Sequence, residues 1–245
     1  MRKKKKIFQN PFFWIALISL AIIGSILYFV LFYPEFRVSQ INISGNQEVS
    51  AEEIENLISL EVSHRFFLIS KKKLSDKILN QFINIESVDV QKKFPSSLFL
   101  KIKERELFSV FCADKIKKNC FSMDSSGIVF KNIENLPDDK IVIVKNKNEE
   151  IFLGKNVIEK NVIDMIKKAE RNLRDNFQIY VQEVLVSDYL ILKTSEKWEI
   201  YFDINSELDL QIAKMNILLK DEITSSQRKN LQYIYLQYKD RAYYK

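Results

Sequence analysis

A general base working near neutral pH is most often a histidine, and this chain of 245 residues has one. His64 stands in VSHRFF without a nucleophile motif to serve, and it reads as a partly exposed loop histidine. The acidic residues that gather in sequence, Asp124, Asp138, Asp139, Glu149 and Glu150, fall in turn-like stretches and read as solvated. There is no P-loop, no dinucleotide-binding glycine pattern, no zinc signature and no EF-hand spacing. The expectation is a protein without catalysis, cofactor or metal. Cys112 and Cys120 are the only thiols, and they fall on facing arms of a predicted hairpin. An oxidising compartment would close them into a disulfide and a reducing one would leave them free; two thiols are too few for structural zinc.

The remaining chemistry is binding. In YIYLQYKDRAYYK, strand alternation puts Ile234, Leu236 and Tyr238 on one face and Tyr233, Tyr235, Gln237 and Lys239 on the other. One face is core and the other is aromatic but wet. A last strand at a sheet edge is either blunted or receives a partner by strand addition, and tyrosine and arginine are common interface anchors. The plainer alternative is that these tyrosines only pair across strands with their neighbours.

The elements that must carry such a surface follow from the rest of the pattern. Net charge is +6, but Arg2 and Lys3, Lys4, Lys5 and Lys6 supply most of the excess, so the body is close to neutral and offers no footprint for a polyanion. Residues 12–33 carry no charge and, at about 1.5 Å per residue, reach across a bilayer as a helix. Aromatics crowd both ends, and the basic tail, residues 1–11, predicts a cytoplasmic amino terminus with everything after residue 35 outside. The apolar run is too long for a cleaved signal peptide and is followed by no small-residue cleavage site.

Beyond it the plan is α+β. FRVSQINI reads as a strand with a phase break at Ser39 and Gln40, suggesting a bulge. Ser50 and Glu53 form a capping box, with Val49 placed to staple onto Ile54. A second helix starts at Ser70 with Leu74, Ile78, Leu79 and Phe82 as its stripe. Lys71, Lys72 and Lys73 fill its first turn against the helix dipole; an acidic partner surface is one reading and a solvated face the other. Two strands follow, with Val88 and Val90 on one and Leu98, Leu100 and Ile102 on the next, around Pro95. The second region reads as a hairpin, further strands, a helix of about 20 residues from Ile158 to Leu173 and beyond, three more strands, and a helix capped by Ser206.

FRVSQINISGNQEVSAEEI, INIESVDVQKKFPSSLFLKIKERE and DSSGIVF together resemble the POTRA domain and following hairpin of the FtsQ/DivIB family of bacterial cell-division proteins. The most specific pieces are the Ser-Gly-Asn turn, the Phe-Pro before a strand, the Glu104-Arg105 pair and the turn from Asp124 to Gly127. The resemblance implies a single transmembrane helix, a POTRA domain of order β-α-α-β-β over residues 35–104, and a β-rich domain with flanking helices over residues 105–245. It implies a bitopic divisome scaffold in the cytoplasmic membrane at the septum, type II in orientation. Its partners would be small coiled-coil proteins of the FtsB/DivIC and FtsL kinds, docking on an edge strand. Tyr233, Tyr235, Gln237, Tyr238, Lys239 and Arg241 are the partner-binding residues so implied. The family's arginine is replaced by Gln237, so its charge role would pass to Lys239 or Arg241. The alternative is a POTRA-bearing envelope protein for secretion or outer-membrane assembly.

Overall fold

In the computed structural model, residues 11–33, 36–62, 66–113, 117, 119–137, 139–145 and 150–245 are described. The basic tail, His64, Asp138 and Glu149 lie outside them. The chain forms two compact units, Met1–Glu104 and Arg105–Lys245.

The first unit begins with α1, Pro11–Phe32, 22 residues of which none is charged. It is long and apolar enough to cross a membrane, and none of its Pro11–Phe29 stretch is buried inside the protein. The strand expected from Phe36 starts later, at β1, Gln40–Ser44. The phase break marks that start rather than a bulge: the Ser39 amide and hydroxyl are both engaged with Ser96.

Local signals set the rest of this unit. The capping box ahead of α2, Ala51–Val62, is closed in both directions, with the Glu53 amide donating to Ser50 Oγ at 3.2 Å and the Ser50 amide to Glu53 Oε2 at 3.1 Å. Ser70 caps α3, Lys71–Gln81, through the Lys73 amide. β2, Ile85–Lys93, and β3, Ser97–Glu104, form a hairpin around the cis Phe94–Pro95 bond. The sheet order is β1-β3-β2, with β1 parallel and β2 antiparallel to β3. Ile54, Ile58, Leu74 and Ile78 from the helices meet Leu98, Leu100 and Ile102 from the sheet in one core.

Gly45 closes the turn after β1 in a left-handed conformation, φ +84°, where a Cβ would lie 2.2 Å from the Ile102 carbonyl oxygen. Beyond it, Glu104 accepts hydrogen bonds from the amides of Gln47, Glu48 and Val49, tying the end of β3 to the approach of α2. Burial pushes its carboxyl up, but those three amides together outweigh burial and hold it below the ordinary value.

The second unit is a nine-stranded sheet. Its strands are β4 Ser109–Cys112, β5 Cys120–Met123, β6 Val129–Ile133, β7 Val142–Lys145, β8 Val181–Val186, β9 Tyr189–Thr194, β10 Glu199–Asp203, β11 Tyr233–Tyr235 and β12 Tyr243–Tyr244. The order is β12-β11-β10-β9-β8-β7-β4-β5-β6. Two helices serve as crossovers between parallel neighbours: α4, Lys160–Phe177, joins β7 to β8, and α5, Leu208–Ile217, lies between β10 and β11. Both bury their apolar stripes in one core with Phe111, Leu192, Ile200, Phe202 and the fully buried Trp198.

Three readings need correction. Asp124 is buried rather than solvated: its carboxylate pairs with Arg105 and accepts from the Ser126 and Ile128 amides. Ser206 does not cap α5, because its hydroxyl is bonded to Asp203, and Glu207 stands at the cap position instead. The strand expected to close the sheet, β11, is shorter than alternation suggested and is not an edge, as described next.

Candidate functional site

The carboxy-terminal end of the nine-stranded sheet is built by β10, β11 and β12. Ile200 and Ile234 point into the helix-covered core, so the residues alternating with them occupy the helix-free face. Two rows run across that face by register. One aligns Glu183, Lys193, Glu199 and Tyr233; the other aligns Leu185, Ile191, Tyr201, Tyr235 and Tyr243.

The first row is an alternating charge ladder. Lys193 donates to Glu183 at 3.0 Å, and Lys117 reaches the same carboxylate from the β4–β5 connection at 2.5 Å. The bond to Glu183 raises the Lys193 ammonium above its ordinary value, although burial opposes it. Burial pushes the Glu183 carboxyl up, but the two lysines outweigh it and leave it depressed. The second row is aromatic. Tyr235 packs edge-on to Tyr201, with centroids 4.6 Å apart, and stacks on Tyr233 at 4.3 Å. The Tyr201 hydroxyl donates to Glu199 at 2.7 Å; burial, and then that carboxylate, push its phenol well above the ordinary value, so it remains a neutral donor. A groove of about 430 Å³ between Lys117, Ile191, Lys193 and Tyr201 lies along these rows.

The edge differs from what alternation alone predicted. β11 is paired on both sides, parallel to β10 and antiparallel to β12, so Tyr233 and Tyr235 lie in an inner strand and are half-buried. The chain turns back on itself, and Tyr243 and Tyr244 take the place where an added strand would sit. The reason lies just after Leu236. Its amide still reaches Tyr201 O at 2.9 Å, but the next carbonyls leave the ladder, and Lys214 Nζ from α5 takes that of Tyr238 at 2.5 Å. Tyr238 is therefore 45% exposed rather than in the core beside Ile234 and Leu236.

Of the residues singled out from sequence, Tyr238, Lys239 and Arg241 are exposed on the connection between β11 and β12. Tyr238 packs edge-on to Tyr243 at 5.2 Å, and Arg241 donates to the Tyr243 hydroxyl at 3.3 Å. Gln237 is half-buried, and its side-chain carbonyl oxygen is buried with no hydrogen-bond partner among the described residues. Cys112 and Cys120 face each other across β4 and β5 and are joined by a disulfide. Sequence reasoning missed Tyr201, Tyr243 and Tyr244 as members of this surface. Tyr243 and Tyr244 stood in plain view as an aromatic pair, but nothing local assigned them a strand.

An apolar helix long enough to cross a membrane is followed by a three-stranded sheet under two helices, the arrangement expected of a POTRA domain behind an anchor. Residues 36–105 match the family profile described as POTRA domain, FtsQ-type. The chain is similar to the cell division protein DivIB of Clostridium botulinum strain Loch Maree, 24% identical over 89% of this chain and 77% of that protein. It is also similar to DivIB of Clostridium acetobutylicum, 28% identical over 48% of this chain and 47% of the relative. A shorter match joins it to DivIB of Staphylococcus aureus, 28% identical over 33% of this chain and 18% of the relative. The FtsQ-type POTRA match and the DivIB relatives support membership of the FtsQ/DivIB family and a role in cell division.

Proposed function

We propose that this chain is a non-catalytic scaffold of the divisome at the septum, with its amino terminus in the cytoplasm and both folded units outside. Its carboxy-terminal sheet receives a strand from small coiled-coil division proteins of the FtsB/DivIC and FtsL kinds. The observation that carries this reading is the way β11 is closed. Its outer side is covered by three residues, Tyr243, Tyr244 and Lys245, all exposed, with the Lys245 amide and carbonyl bonded to Tyr233. So short a strand is a weak competitor for backbone hydrogen bonds, and a longer segment can displace it and pair with β11. The unpartnered acceptor of Gln237 and the exposed side chains of Tyr238, Lys239 and Arg241 then flank the incoming strand.

The test uses exposed residues, because a charge at Tyr235 would disturb the aromatic row itself. Capture of the purified coiled-coil partner by the full chain should fall at least tenfold in a Tyr238→Ala, Lys239→Glu, Arg241→Glu variant, a loss of roughly 1.4 kcal/mol or more. The circular dichroism spectrum should not change. Undiminished capture would refute the reading.

A further inference from the structure

The end of the POTRA unit nearest α1 carries an apolar patch that its own core does not use. Among the described residues after Tyr33, the first unit exposes four large apolar side chains, and three of them lie here: Phe67 at 45%, Leu68 at 62% and Phe94 at 70%. They belong to different segments. Phe67 and Leu68 sit on the single turn Phe66–Leu68, and Phe94 is at the tip of the β2–β3 hairpin. Phe36 gathers them, with ring centroids 5.4 Å from Phe67 and 5.7 Å from Phe94. The same ring lies 6.2 Å from Tyr33, which stacks on Phe29 of α1 at 4.5 Å. An unbroken aromatic chain therefore runs from the membrane helix to the hairpin tip.

Lysines surround this patch. Lys71, Lys72 and Lys73 follow the Phe66–Leu68 turn and are exposed, while Lys92 and Lys93 precede Phe94 on β2. Among the described residues none of the five has a carboxylate partner. Lys92 lies over the Phe66 ring at 5.5 Å and donates to the Phe66 carbonyl. Burial, and then the charge of Lys71, lower its ammonium below the ordinary value. The first-turn lysines also oppose the dipole of α3, so an anion placed there relieves that strain. The opposite end of the sheet, where Glu104 holds the 47–49 loop, has no comparable aromatic cluster among the described residues.

We propose that this face seats the POTRA unit on the bilayer. The rings of Phe36, Phe67 and Phe94 enter the headgroup boundary of the leaflet from which α1 emerges, and the lysines bind the phosphates of anionic lipids. Aromatic rings favour that boundary, and clustered lysines add attraction to anionic headgroups that falls off within a Debye length. Continuity with α1 selects lipid over a protein partner, since the patch starts where the helix leaves the hydrocarbon.

The experiment uses the full chain with its native disulfide intact and an environment-sensitive fluorophore on Phe94→Cys. It is reconstituted into vesicles of phosphatidylglycerol or of phosphatidylcholine. In phosphatidylglycerol, iodide quenching should fall severalfold below its value in neutral detergent micelles, and shallow nitroxide lipids should quench the probe. A probe at Glu48→Cys, at the far end of the sheet, should stay open to iodide. Lys71→Glu, Lys72→Glu, Lys73→Glu should return the Phe94 probe to its micelle value on phosphatidylglycerol. That variant keeps α3 folded, because glutamate suits a helix amino terminus. A Phe94 probe as open to iodide in phosphatidylglycerol as in micelles, or one unmoved by the charge reversal, would overturn the proposal.

Discussion

The two sheets of this protein end in opposite ways. In the POTRA unit the strands of the three-stranded sheet are tied at their ends: Gly45 turns the chain after β1, β2 and β3 join in a hairpin, and Glu104 at the end of β3 holds the 47–49 amides. The nine-stranded sheet ends in a two-residue strand whose side chains are nearly half exposed. One margin is built to stay closed. The other is closed by a short run of chain, Tyr243 to Lys245, and it is there that the proposed function places an incoming strand.

The sharpest way to break this contrast is to disturb a pinned site in the larger unit. Asp124 is buried with Arg105 and holds the turn to Ile128 through two amides. Asp124→Ala leaves Arg105 with a buried charge and should cost about 3–5 kcal/mol. Trp198 fluorescence in a Trp14→Phe background would read the loss as a lower denaturant midpoint. A shift as small as that of a surface substitution would mean the turn is not a fixed point.

Gly45→Ala should cost about 1–3 kcal/mol from its backbone conformation, before the clash with Ile102 O is added. Faster hydrogen exchange across β1 and β3 would report it. Glu104 gives a smaller, pH-dependent effect. Its folded pKa is depressed below 4.5, so its contribution is complete above that pH and fades as pH falls through the folded value. Glu104→Gln should cost about 1 kcal/mol at neutral pH and flatten the acid limb of POTRA stability. An unchanged acid limb would remove Glu104 from the account.

The same contrast explains what could be read in advance. POTRA elements announce themselves locally: Ser50 and Glu53 are three apart, Ser70 precedes its helix, and Leu98, Leu100 and Ile102 alternate. The anchor is legible for the same reason, since length and apolar content suffice. The edge of the larger sheet is decided by contacts far apart in sequence. The strand pattern of Ile234 and Leu236 was visible, but its end depends on Lys214 capturing the Tyr238 carbonyl from α5, and its closure depends on Tyr243 pairing back with Tyr235. Asp124 shows the same limit on a shorter scale. Its turn was plain, but its burial follows from Arg105, 19 positions earlier.

The smallest effect on stability and the largest on function should come from β12. Tyr243→Pro with Tyr244→Pro removes two backbone donors from an exposed edge and should change stability by no more than about 0.5 kcal/mol. Titrating that variant with the coiled-coil partner tests the central claim directly. If β12 is a displaceable cover over β11, the variant binds more tightly than the parent chain; if it binds more weakly or not at all, β12 is part of what the partner needs and the displacement account is wrong.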